Sequence, residues 1–118
     1  MLLDIAAIII LLLGIAHSYL GEKYILIRLF KRTNIPSLYG SDDFTKNTLR
    51  FAWHITTFAW LGIAVILAFE TKPSNLLLYT TSIVFLVSCL VSVYFSKGKH
   101  FSWICFLAIS LLTFFSTN

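Results

Sequence analysis

Charge is what this chain has least of. Only 12% of its 118 residues are charged, and five in the whole chain are acidic. A soluble domain of this size needs a charged shell, and small domains bury a smaller share of their surface than large ones. The shortage excludes an ordinary water-exposed fold. Cysteine occurs twice, at Cys89 and Cys105. The two lack the CxxC spacing of a zinc or dithiol site and are expected to be small apolar packing residues near one membrane face. Proline also occurs twice, and both positions read as helix boundaries: Pro36 as a breaker and Pro73 at the opening of a helix. There is no HExxH, no acidic cluster, no phosphate loop and no recognisable nucleophile–base pair, so no enzyme class is assigned.

What fills the chain instead is apolar. Hydrophobic residues make up 58% of it, and its mean hydropathy is +0.88. Residues 5–21, 51–69, 73–96 and 101–118 carry no Asp, Glu, Lys or Arg. A helix needs roughly 20 apolar residues to cross a hydrocarbon core of about 30 Å. Lipid also requires backbone groups to be satisfied within the segment. A transmembrane barrel would alternate polar and apolar residues, and Ile8-Ile9-Ile10-Leu11-Leu12-Leu13 does not. The expectation is an all-α, polytopic four-helix membrane bundle. It forms one domain over residues 1–118, with spans at about 3–21, 50–69, 75–95 and 101–117 and an amphipathic connection at 22–49. The start, Met-Leu-Leu-Asp, lacks the basic region of a signal peptide, so the first helix is expected to be retained. No internal repeat or low-complexity tract is visible.

Basic residues set the expected orientation. The first connection region holds Lys23, Arg28, Lys31, Arg32, Lys46 and Arg50, the third holds Lys97 and Lys99, and the second holds only Lys72. By the positive-inside rule the side with eight of these nine is cytoplasmic, which places both termini on the non-cytoplasmic side. The net charge of +4 is then a topology signal beside anionic headgroups, and no nucleic-acid partner is implied. Within the connection, Ile25, Leu26, Ile27, Leu29 and Phe30 alternate with basic residues, as in a helix that passes the surface and lies in the interface. Residues 34–40 read as a breaker, Ser41 or Asp42 as an N-cap, and the second helix as running from near Asp43 to about Phe69.

Polar side chains inside membrane helices are costly and therefore informative. His17 lies four residues before Gly21, and His54 lies four residues after Arg50. Antiparallel helices bring both imidazoles to similar depth. Ser18 and Glu22 share a face, as do Arg50 and His54, with Thr57 one turn further. His17 and Glu22 are offset by about 140° on an ideal helix. The candidate site is therefore His17, Ser18, Glu22, Arg50, His54 and Thr57. Its open chemistries are haem or transition-metal ligation by His17 and His54, contact with a quinone or a proton relay, and plain interhelical hydrogen bonding. Two stripes of small residues, Gly14/Ser18/Gly21 and Ser88/Ser92/Ser96, read as packing faces. Tyr24, Trp53, Tyr94 and Trp103 read as interfacial anchors, and His100 as a solvated loop residue.

The stretches Ala16-His17-Ser18-Tyr19-Leu20-Gly21-Glu22 and Thr48-Leu49-Arg50-Phe51-Ala52-Trp53-His54 resemble paired motifs of a family of small, uncharacterised bacterial four-helix inner-membrane proteins. The resemblance covers the first two helices and their connection. It implies a bacterial inner-membrane location and no particular activity. The size also resembles small multidrug transporters, but the first helix here has no Glu between Asp4 and Glu22. The partners implied are the lipid bilayer and either further copies of the chain in a homo-oligomer or a larger membrane complex.

Overall fold

In the computed structural model, which describes residues 1–117, the apolar runs become helix. The fold is all-α, 77% helical, with four helices and no strand among the described residues. They are α1 (Leu2–Leu29) and α2 (Asp43–Phe69), then α3 (Asn75–Ser96) and α4 (Ser102–Phe114). The first three hold 28, 27 and 22 residues and are long and apolar enough to cross a membrane. α4 has 13 residues, a rise of about 20 Å, and falls short of the expected span at 101–117. Hydroxyls compete with its backbone near the end: Ser116 Oγ donates to the Leu112 carbonyl at 2.7 Å, and Thr117 Oγ1 to the Phe114 carbonyl at 2.7 Å.

The helix ends follow local chemistry. Ser41 Oγ accepts from the Asp43 N–H at 3.3 Å, while Asp42 pairs with Lys46 at 2.7 Å. Before them, Tyr39 (φ 54°) and Gly40 (φ 89°) close a tight turn bridged antiparallel from Leu38 to Ser41. Two successive positive φ values match the turn geometry of short hairpins. Pro73 does not open α3 as expected. Ser74 is the cap, its Oγ accepting from the Leu77 N–H at 3.2 Å, so Pro73 lies one residue before the cap. α3 ends at Lys97, in left-handed backbone, with Gly98 N–H donating to the Val93 carbonyl at 3.1 Å.

Contacts divide the chain into two compact units. The first comprises residues 1–13 and 61–118. Its centre is Ile10, Leu67, Leu78, Phe85 and Ile109, each no more than 2% exposed. α3 and α4 form an antiparallel hairpin within it. Ser82 Oγ donates to the Ser110 carbonyl at 2.9 Å, and Phe85 meets Phe106 with ring centroids 5.9 Å apart. The serine stripe expected to pack α3 mostly bonds its own helix: Ser88 to Val84 and Ser96 to Ser92. Only Ser92 crosses, to Ser102 at 2.9 Å. His100, expected to be merely solvated, accepts from the Ser102 N–H through Nδ1 at 3.4 Å and also bonds the Ser102 hydroxyl at 2.7 Å. Cys89 is buried and Cys105 partly buried, and both are free thiols.

The second unit is residues 14–60: the later part of α1, the connection and the first part of α2, packed antiparallel. Here the Gly14/Ser18/Gly21 stripe faces α2, as packing requires. Gly21 is buried, and a Cβ placed on it would overlap the Trp53 indole. By contrast, a Cβ on Gly62 in α2 would meet nothing within 4 Å. Gly21→Ala is therefore expected to cost about 1–3 kcal/mol through overpacking. Gly62→Ala is expected to be neutral or slightly stabilising, because alanine is the better helix former. Reversible unfolding of the two variants in detergent or bicelles measures the contrast.

Candidate functional site

The second unit gathers the polar residues of two apolar helices. From Gly21 to Leu26 the bonding of α1 switches to π-helical, and the Ile27 N–H reaches the Glu22 carbonyl. Such wide turns are rare and concentrate at functional sites. Ser18 and Glu22, four residues apart on α1, both face His54 of α2.

His54 is held at both ring nitrogens. Its Nδ1 lies 2.8 Å from Ser18 Oγ, and its Nε2 lies 3.1 Å from Glu22 Oε2. Ser18 Oγ is also 2.7 Å from Thr57 Oγ1, and Thr57 Oγ1 donates to the Gly14 carbonyl at 3.3 Å. Thr57 is buried, 6% exposed. On the other flank Arg50 Nε donates to both Glu22 oxygens, at 3.1 and 3.2 Å, and Nη2 lies 2.8 Å from Oε1. The Phe30 ring lies 5.0 Å from the guanidinium carbon, a cation–π contact. The result is one continuous array: Arg50, Glu22, His54, Ser18, Thr57 and the Gly14 carbonyl.

Two proton arrangements fit it, and one of them fills every contact. With the ring proton on Nε2 alone, His54 donates to Glu22 and accepts from Ser18 at Nδ1, and the single Thr57 proton goes either to Ser18 or to the Gly14 carbonyl. With a second proton on Nδ1, the ring donates to Ser18, Ser18 to Thr57, and Thr57 to Gly14. The heavy atoms need not move between the two, because each hydroxyl both donates and accepts.

His17 belongs to a separate set of contacts. Its Nε2 donates to the Trp53 carbonyl at 3.2 Å, and Trp53 Nε1 donates back to the His17 carbonyl at 3.0 Å. The two rings stack, 4.7 Å apart and 3° from parallel, with Trp60 tilted against His17 at 5.0 Å. Trp53 was expected to be an interfacial anchor; half-buried, it joins α2 to α1 instead. His17, on the far side of α1 from Glu22 on an ideal helix, is not part of the array. Five of the six candidate residues come together, and the sixth braces them through Trp53.

This arrangement is a poor fit for a resident metal or haem iron. A histidine ligand needs an open lone pair, and both nitrogens of His54 and Nε2 of His17 are already engaged. Among the described residues no group of three or more His, Cys, Asp or Glu side chains is placed to hold a metal ion. Trp53 and Gly21 were not among the candidate site residues. The i, i+4 pairing of the small-residue stripe with Ser18 and Glu22 was the signal that could have found Gly21.

The fold and site together define a polytopic helical membrane protein with a polar array inside its first hairpin. No protein-family model matches the chain, and no curated protein or solved structure does.

Interhelical hydrogen bonds in membrane proteins contribute roughly 0.6 kcal/mol on average and up to about 1.7. Ser18→Ala and Thr57→Ala are each expected to cost within that range. Because both act through one hydroxyl chain, the double variant should cost clearly less than the sum of the two. A double-mutant cycle measured by unfolding in bicelles reads this; strict additivity would show that the hydroxyls act independently.

Proposed function

We propose that the chain is a small multi-pass protein of a bacterial inner membrane whose array on α1 and α2 accepts and passes a proton near the cytoplasmic face. The observation that carries the reading is the His54 imidazole, bonded at one nitrogen to a carboxylate and at the other to a chain of two hydroxyls. Ionisable groups within membrane spans commonly serve as relays, and histidine changes charge near physiological pH more readily than other side chains. Glu22 would hold the ring and balance its charge, Arg50 would hold Glu22, and the Ser18 hydroxyl would exchange the proton at Nδ1, with Thr57, bonded to the Gly14 carbonyl, holding Ser18 in place. The array would work in a homo-oligomer or as part of a larger membrane complex.

Nitrogen NMR of ring-labelled His54 in bilayers tests this. The ring nitrogens are expected to report hydrogen bonds to Ser18 at Nδ1 and to Glu22 at Nε2. Ser18→Ala is expected to slow proton exchange at Nδ1 by about tenfold or more, the lower end of what a positioned acid–base partner contributes. A ring whose protonation never changes while the protein stays folded would reject the relay. A haem or quinone that co-purifies would move the reading to a cofactor site.

Orientation rests on the charge count. With α1, α2 and α3 crossing, the connection after α1 and the turn after α3 share a side that holds eight of nine Lys/Arg residues. Tyr39, 89% exposed, marks that side. A cysteine at Tyr39 should be blocked by a thiol reagent only when the cytoplasmic face is accessible, and a cysteine at Lys72 only from the opposite face. The reverse pattern overturns the orientation.

A further inference from the structure

The connection between α1 and α2 encloses a second feature that shares no residue with the array. A cavity of about 280 Å³ is lined by Leu29, Arg32, Asn34, Ile35, Pro36, Thr45 and Leu49. Its walls are chiefly aliphatic, and its one charged lining residue is Arg32. Thr45 Oγ1 donates to the Pro36 carbonyl at 2.8 Å, which pins the loop against α2 and keeps the cavity formed. The other cations of this region are engaged. Lys46 pairs with Asp42 and Arg50 with Glu22, while Lys23 and Arg28 lie over tyrosine rings. Lys31 and Arg32 are exposed, and among the described residues neither has an acidic partner.

Depth decides what such a cavity meets. α1 has 28 residues, a rise of about 42 Å. A bilayer with its headgroup layers is about 40–45 Å thick. A helix that begins at one headgroup layer therefore ends at the other, and Arg32 follows that end by three residues. Six Lys/Arg and three Asp/Glu lie in residues 22–50, so this segment is attracted to a negative surface.

We propose that this cavity is a binding site for one anionic phospholipid. Arg32 takes the phosphate, Lys31 adds to the field that draws it, and the glycerol and upper acyl chain lie against Leu29, Ile35, Pro36 and Leu49. A guanidinium suits a phosphate because its planar fork donates two parallel hydrogen bonds.

The test uses the full chain in a mild detergent, titrated with dioleoyl phosphatidylglycerol or dioleoyl phosphatidylcholine and read by native mass spectrometry. The wild type is expected to retain phosphatidylglycerol in preference to phosphatidylcholine. Arg32→Gln should weaken that retention about fivefold, the effect of one basic residue at a charged surface. Ile35→Trp, which fills the cavity without changing charge, should weaken it as well. Lys97→Gln, in the other basic turn, should not. Equal retention of the two lipids overturns the proposal, as does an Arg32→Gln effect no larger than that of Lys97→Gln. Displacement of the lipid by inorganic phosphate alone also overturns it, since the acyl contacts would then contribute nothing. Arg32→Lys, which keeps the charge, serves where Arg32→Gln does not fold.

Discussion

A carboxylate between two apolar helices has to be neutralised, and Glu22 sits at that constraint. The cost of an unpaired charge in such a place is several kcal/mol. Glu22 answers it with the Arg50 guanidinium on one side and the His54 imidazole on the other. Arg50 is 43% exposed and Glu22 29%, so water screens part of this attraction and the pair alone is a modest source of stability. Its larger consequence is positional. Two anchors on α2 reaching one carboxylate on α1 set how the helices slide and rotate against each other, and every other polar contact of the hairpin follows from that register.

The register then requires close approach. Ser18 can reach His54, and Thr57 can reach the Gly14 carbonyl, only because Gly14, Ser18 and Gly21 present almost no side-chain bulk to α2. The Trp53 ring occupies the space that a side chain at position 21 would fill. No buried side-chain nitrogen or oxygen among the described residues lacks a partner. The same contacts clasp α1 to α2, so the array stabilises the hairpin.

Much of this was legible in the residues, for a simple reason. In lipid the code is coarse: charge-free runs mark helices, and isolated polar residues mark their contacts. The helix from Asp43 to Phe69 and the gathering of Ser18, Glu22, Arg50, His54 and Thr57 follow from spacing. Less legible were features set by competition between near-equal alternatives. Ser74, rather than Pro73, begins α3 because a cap needs an acceptor side chain. Trp53 turned inward because the gap at Gly21 receives an indole.

By itself, the sequence determined that this is a chain of membrane-crossing helices and which few residues could carry chemistry, because lipid tolerates so few polar groups that each one is conspicuous. Only the tertiary structure decided how those groups are partnered. A histidine's role depends on what each of its two nitrogens meets, and spacing along one helix says nothing of the other. His17 and His54 look equivalent in the sequence. In the fold His17 is committed to the Trp53 backbone, while His54 stands between a carboxylate and a hydroxyl.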